Sequence, residues 1–353
     1  MTTTRQTPLT GTDAAGAPQQ QERASRLATS YLGLALSGPV IASAGPRTRT
    51  VESLRALEQA GIAAVVLPSL FEEEVIAEEE AVNESLERGA DFAEFSEMMV
   101  DLPLPDLGPA RRVRLVEEAK AALSIPVIAS VNATHTGSWT RYATMMADAG
   151  ADAIELNLYG VAADPSRSAA EVERGYLEVI EQVRAAVAVP LAVKLSPFFS
   201  SFAHFAAAAV QAGADGLVVF NRFYAPDIDL DTLELTPKVD LSSPGNLRMP
   251  LRWLGILRSQ MPAADLAATS GVHSGEEVLK ALLVGANVAC TTAALITHGP
   301  DVVTGWLDEI DAWLVQNDYT GVDQLRGSLS AAASGDPAAY ERAQYMKIVT
   351  SNG

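Results

Sequence analysis

A chain of 353 residues with 48% hydrophobic side chains has ample material for one large core, and barrels of this length are routinely single domains. The formal charge of -19 at pH 7 speaks against nucleic acid and anionic membrane as partners, since both repel a net-acidic surface. No apolar run approaches the ~18 residues needed to cross a bilayer, no basic region followed by an apolar stretch marks a secretory signal, and the one cysteine, Cys290, fits a reducing cytoplasm without an internal disulfide.

In chain order, residues 1–25 are rich in Thr, Gln, Ala and Gly and poor in large apolar side chains, so a disordered tail is expected. Eight short, nearly continuous apolar segments follow: Val40–Ala44, Ala63–Pro68, Val127–Asn132, Ala153–Tyr159, Leu191–Ser196, Gly216–Asn221, Asp265–Ser270 and Val288–Thr292. Such segments suit parallel strands covered on both faces. Gly-bearing turns, as at Gly61, Gly150, Gly213 and Gly285, alternate with Pro near the strand start, as at Pro126, Pro190 and Pro262. Amphipathic stretches such as Ala169–Val187 and Gly275–Val284 separate the strands. Eight strand–helix units over residues 26–330 predict an α/β TIM (β/α)8 barrel. The rival, an open doubly wound sheet, would more usually carry a Gly-rich fingerprint after its first strand, and none is present.

An insertion over residues 70–110 leaves the C-terminal end of the second strand and carries the acidic run Glu72–Glu80 with Phe92, Phe95, Met98 and Met99. It reads either as a solvated helix face or as a lid or oligomer contact. Residues 331–353 form a C-terminal extension.

Polar residues at the C-terminal ends of barrel strands mark the place for chemistry. Lys194 lies in the apolar run Val193-Lys194-Leu195, where an ammonium needs an anion; it reads as an ion pair with an acid such as Glu155, or as a cation facing a cofactor or substrate. Asn132, Asn157 and Asn221 end the third, fourth and sixth strands, and three amides there would surround one volume with both donors and acceptors. Ser270, Gly271 and Val272 after the seventh strand, with Thr291 and Thr292 after the eighth, offer small residues where backbone N–H groups reach a phosphate. The four histidines, His135, His204, His273 and His298, lack metal-ligand spacing, so no metal is expected; His135 follows the third strand and could serve as an acid or base. Cys290 reads as a small buried core residue.

These residues, in this order, resemble the dihydroorotate dehydrogenases, flavin-dependent barrels of pyrimidine synthesis, and among them a divergent group of dihydroorotate dehydrogenase-like proteins. The resemblance runs from Tyr31-Leu32-Gly33-Leu34 and Pro39–Ala44, through Glu155–Leu158, Val193–Pro197 and Val219–Asn221, to Thr269–Val272, His298–Pro300 and Leu325–Gly327. It implies FMN at the barrel mouth, touched by Ala42, Ser43, Ser69 and Asn132, with Lys194 near flavin N1 and O2, where a cation stabilises a reduced ring. It implies that Ser270, Gly271, Val272, Thr291 and Thr292 hold the phosphate, and that Asn157 and Asn221 bind the substrate ring. The expected partners are a small-molecule substrate and further copies of the chain, in the cytoplasm.

The departures matter equally. The family follows its fourth strand with Asn-Leu-Ser-Cys-Pro-Asn, or a Ser variant, whose Cys or Ser is the base; here the run is Asn157-Leu158-Tyr159-Gly160-Val161-Ala162. Gly160 takes no proton, and Tyr159 or His135 is left as candidate base. Pro68 stands where a Lys usually precedes Ser69, and Arg222 replaces a small hydroxyl residue, which suits a substrate carboxylate. Dihydroorotate oxidation is thus the first expectation. A different ring or carbonyl substrate, a flavin protein without dehydrogenase activity, or an aldolase-like barrel using Lys194 as a Schiff base remain open.

Overall fold

The computed structural model describes residues 16–71, 109–133, 139–158, 160–222, 225–238, 240–336, 338–342 and 350. Twelve strands occur among them: β1 (Thr29–Tyr31), β2 (Leu34–Leu36), β3 (Val40–Ala42), β4 (Ala64–Val66), β5 (Val127–Ala133), β6 (Ala153–Leu158), β7 (Leu191–Leu195), β8 (Gly216–Val219), β9 (Ala225–Asp229), β10 (Glu234–Lys238), β11 (Asp265–Ala268) and β12 (Val288–Thr291). Eight of them close into a parallel barrel in the order β11-β12-β3-β4-β5-β6-β7-β8. The chain is a TIM barrel, as the strand rhythm predicts. Helices follow the strands, with Ala169–Ala186 and Gly275–Val284 where the amphipathic stretches lie.

The strands look uniformly apolar in sequence, yet their two faces do different work. One set of side chains packs outward against the helices, where it shares a buried cluster with Phe202 and Phe205 of the helix Phe202–Gln211. The alternate set, including Ile41, Ala64, Ile128, Ala153, Ala192, Val218, Ala267 and Val288, fills the barrel interior. Small residues dominate that interior, and the room they leave is taken by the β1–β2 hairpin. Leu32 Cδ2 sits only 2.8 Å from where a Cβ on Gly216 would be, and the Leu32 N–H donates to the Asp265 carboxylate at 2.6 Å. One end of the barrel is thereby plugged, which leaves the C-terminal ends of the strands as the open end.

Three expectations are refined, and two hairpins are added. The tail expected to be disordered to residue 25 is helical over Gly16–Leu27. Leu27 is buried, and Arg26 makes a two-pronged ion pair with Asp311 at 2.7 and 2.9 Å, so a segment of weak intrinsic hydrophobicity is held by tertiary contacts. The second strand stops at Val66, because Pro68 has no N–H for the ladder, and pairing resumes only at a Leu70–Val131 bridge. Two hairpins, β1–β2 and β9–β10, are too short to show in a periodicity reading. Residues beyond 330 return to the barrel wall, where the Ala331 N–H donates to the Gly255 carbonyl at 3.0 Å. Most of the insertion, residues 72–108, lies outside the described residues. No described helix is long and apolar enough to cross a membrane.

Candidate functional site

Parallel register sets the floor of the open end. Asn132 on β5 is level with Asn157 on β6, and Asn157 is level with Lys194 on β7. Side chains two residues apart on a strand share a face, so Glu155 lies one layer below Asn157. The Lys194 ammonium donates to Glu155 Oε1 at 3.3 Å and to Ser43 Oγ at 3.5 Å. Lys194 is 7% exposed and Glu155 2%. The two readings of Lys194 are therefore compatible: it is ion-paired below and borders the cavity above. Asn157 Oδ1 accepts from Asn221 Nδ2 at 2.7 Å, which ties two of the three amides together. Asn132 Oδ1 is buried with no hydrogen-bond partner among the described residues.

A cavity of about 590 Å³ opens over this floor. Of the residues singled out from sequence, Ser43, Ser69, Lys194, Asn221, Arg222, Ser270, Gly271, Val272, Thr291 and Thr292 line it. Ala42, Asn132 and Asn157 do not; they are buried in the strands just behind. Tyr159 and His135 lie outside the described residues.

The loops after β11 and β12 make a tight backbone cradle. Ser270 and Gly271 both have positive φ, 73° and 89°, and a Cβ on Gly271 would come within 2.4 Å of the Leu247 nitrogen. Positive φ on a serine is strained backbone of the kind that gathers at ligand sites. The Thr291 hydroxyl donates to the Val272 carbonyl at 2.9 Å, and the Thr292 hydroxyl to the Ser43 carbonyl at 3.2 Å. These hydroxyls stitch three loops together, so backbone N–H groups are what the cradle has to offer an anion.

The sequence reading missed part of the cavity wall. Arg49, Phe71, Arg112, Phe220, Asp240 and Ile296 also line it, and so does Cys290. Arg49 and Arg112 carry no motif; only the fold brings them beside Arg222. Arg222 donates to the Asn246 side chain at 3.3 Å and to the Asp240 carbonyl at 2.8 Å. Cys290 is buried, as expected, and burial pushes its thiol up to about 12, so it is a poor nucleophile. His273 shares a hydrogen bond with Ser242 at 3.1 Å on the cavity side, and burial lowers its pKa. Among the described residues no three His, Cys, Asp or Glu side chains are grouped to hold a metal.

At Gly160 the structure gives the family departure a physical form. A Cβ there would lie 2.7 Å from Tyr176 Oη, and the Tyr176 hydroxyl donates weakly to the Gly160 carbonyl at 3.4 Å. Tyr176 packs edge-on against Phe199 and Phe205, and burial raises its pKa, so its phenol stays protonated at neutral pH.

Comparison with known proteins agrees with the geometry. The dihydroorotate dehydrogenase family model matches residues 26–314. The chain is 30% identical over 182 residues to dihydroorotate dehydrogenase A (fumarate) of Limosilactobacillus reuteri, a match covering 50% of this chain and 58% of that one. It is 24% identical over 314 residues to the catalytic subunit of dihydroorotate dehydrogenase B (NAD(+)) of Thermoplasma acidophilum, covering 85% of this chain and 98% of that one. It is 32% identical over 209 residues to the corresponding subunit of Methanocella arvoryzae, covering 57% and 63%. The chain belongs to the dihydroorotate dehydrogenase family, whose members are flavin-dependent oxidoreductases acting on CH–CH groups.

Proposed function

We propose that this chain holds FMN in the barrel mouth and oxidises a small anionic substrate across a CH–CH bond, with dihydroorotate the first candidate and cytoplasmic pyrimidine biosynthesis its setting. The observation that carries this reading is Lys194, a buried ammonium on the cavity floor braced by Glu155 and Ser43. The remaining residues fit the same group. Asn132 has a buried carbonyl that a ring N–H would satisfy, and the Ser270-Gly271 backbone forms a cradle that any side chain at 271 would fill.

Bound FMN supplies a hydride acceptor. The chain's own part is positioning and electrostatics. Lys194 places a positive charge where a reduced ring gathers negative charge, and it is held in place before any reaction, so no reorganisation is needed. Asn221 lines the cavity and, steadied by its bond to Asn157 behind it, offers its remaining side-chain carbonyl to a substrate's polar edge. Arg49, Arg112 and Arg222 bring three guanidinium groups to the cavity wall, where Asp240 is the sole lining acid among the described residues. In a chain of charge -19, that local excess of cations draws an anion to this opening.

The test is anaerobic mixing of the purified flavoprotein with dihydroorotate. Loss of the blue flavin absorption supports the first reading. A colourless protein that takes up no FMN rejects the cofactor. A yellow protein that stays oxidised favours a second reading, a different anionic ring or carbonyl substrate or a flavin protein without turnover. Gly160 and the Tyr176 hydroxyl beside it support that second reading, because the position where relatives carry Cys or Ser has no ionisable side chain.

A further inference from the structure

Two loops meet over the backbone cradle, and one hydrogen bond between them stands apart from the redox chemistry. β9 and β10 form an antiparallel ribbon after the sixth barrel strand, and the chain returns from it through residues 240–247. Asp240, Leu241 and Ser242 of this return line the cavity together with Ser270, Gly271 and Val272. The Asn246–Leu247 peptide lies against Gly271, with the Leu247 nitrogen 2.4 Å from where a Cβ would be. Asn246 Oδ1 accepts from the Ser243 N–H at 2.7 Å and from Arg222 at 3.3 Å, so the return is held in shape on its own side. A side-chain hydrogen bond joins it to the other loop: Ser242 Oγ is 3.1 Å from Nε2 of His273, the residue after Val272.

A hydroxyl has one proton to give, and its partner decides where that proton points. Against a neutral imidazole with a bare Nε2, Ser242 donates to the ring and keeps no proton for an anion in the cavity. Against a protonated ring, Nε2–H donates to Ser242 Oγ, and the hydroxyl proton is free to point into the cavity. The groups around the ring differ in sign. Burial is the largest influence and disfavours the imidazolium. Buried Glu277, in the first turn of the helix Gly275–Val284, and the Ser242 backbone favour it, and His298 at the end of the helix Ala293–His298 opposes it. Glu277 also accepts from the Ser274 hydroxyl, and Glu309 of the helix Val302–Gln316 reaches Gly275. On the cavity side, Asp240 and Arg222 share the lining with Ser242. The balance holds His273 below the ordinary histidine pKa of about 6.5. At pH 7 the ring is therefore mostly neutral, and an anion beside Ser242 would draw a proton onto it.

We infer that Ser242 and His273 form a proton-coupled arm of the cradle: Ser242 donates to a phosphate monoester held there, while His273 takes up a proton from solvent and donates its Nε2–H to Ser242. This rests on the proposed FMN cofactor, whose phosphate is the anion in question. His273 is a positioning residue, since it reaches the phosphate only through Ser242. The rest of the cradle offers backbone N–H groups, whose donation does not change with pH. The ring's pKa is higher with phosphate bound than without it. The added affinity is therefore complete below the unbound pKa and is lost as pH rises through the bound one. A rise of one pKa unit is worth at most about tenfold in affinity. Riboflavin has the same ring system without the phosphate, so the arm has nothing to hold on it.

The experiment is titration of the full chain, freed of flavin, with FMN and separately with riboflavin, followed by quenching of flavin fluorescence. It runs from about pH 8 to about pH 6.5, where the phosphate is mostly dianionic, with circular dichroism to confirm folding. FMN is expected to bind at least about threefold more tightly at the lower pH, and riboflavin equally at both. His273→Gln and Ser242→Ala are each expected to flatten the FMN profile, and Ser242→Thr, which keeps the hydroxyl, to retain it. A flat wild-type profile, or a slope that survives His273→Gln, overturns the inference and leaves the cofactor assignment standing. So does an equal slope for riboflavin, which would place the titrating group at the flavin ring. A protein that binds neither flavin at any pH overturns the cofactor assignment and the inference together.

Discussion

The floor and the rim of the cavity are built on opposite plans. On the floor, Asn132, Asn157 and Lys194 sit at matched register on three neighbouring strands, each buried and held by backbone ladders. On the rim, Arg49, Arg112 and Arg222 come from separate loops and a helix start, and the ribbon rises beside them. The floor rests on strand register, and the rim and the Gly160 turn rest on loops. Under the proposed function, rigid strands carry the residues that face the cofactor. Under the same reading, loops carry the residues that meet the substrate, because loops can change without disturbing the barrel.

The largest test of this division is Lys194→Met. Flavin reduction by substrate is expected to slow by about 10²–10³-fold, followed as the loss of blue absorption in anaerobic stopped flow. The same change strands Glu155 in the barrel, so stability should fall by about 3–5 kcal/mol in urea titration. Lys194→Met with Glu155→Leu should recover much of the stability and none of the reduction rate. Recovery of the rate would remove Lys194 from the chemistry.

Gly271→Ala probes the cradle. Its φ of 89° and the 2.4 Å approach to Leu247 make a side chain costly, on the order of 1–3 kcal/mol. The variant should lose FMN on gel filtration while keeping the barrel's circular dichroism. Retention of FMN with unchanged affinity would move the phosphate elsewhere.

Arg222→Ala belongs to the rim, and there the split between binding and turnover is informative. KM should rise about tenfold or more with kcat little altered, as expected when a charge contact made equally in ground and transition states is lost. An unchanged KM would free Arg222 from any role in holding the substrate.

The smallest expected effect separates the packed floor from the open rim by pH. Burial holds the Cys290 thiol up to about 12, and burial likewise raises the Tyr31 phenol. Above pH ~8.5 an unfolded chain releases the thiol proton that the folded chain keeps. Stability therefore falls as pH rises from there toward 12, by about 1.4 kcal/mol per pH unit for one such group. Cys290→Ala should flatten that alkaline limb in urea titrations, and native protein should resist thiol reagents at neutral pH until it unfolds. Prompt labelling would show Cys290 to be a reachable thiol in the cavity.

Sequence alone determined the barrel, because eight apolar strands with Gly or Pro lead-ins and amphipathic helices have few other ways to bury their surface. It also determined most of the floor: polar residues at strand ends have no use in a core, so Lys194, Asn132 and Asn157 stood out by their positions. Tertiary structure alone decided that Lys194 is both paired and facing the cavity, that Tyr176 fills the space at Gly160, and that Arg49, Arg112 and Arg222 share one wall. It also decided that the helix over Gly16–Leu27 is ordered. These outcomes depend on distances between residues far apart in the chain. Local periodicity reports which face of an element is apolar, whereas such distances are fixed only when the barrel closes.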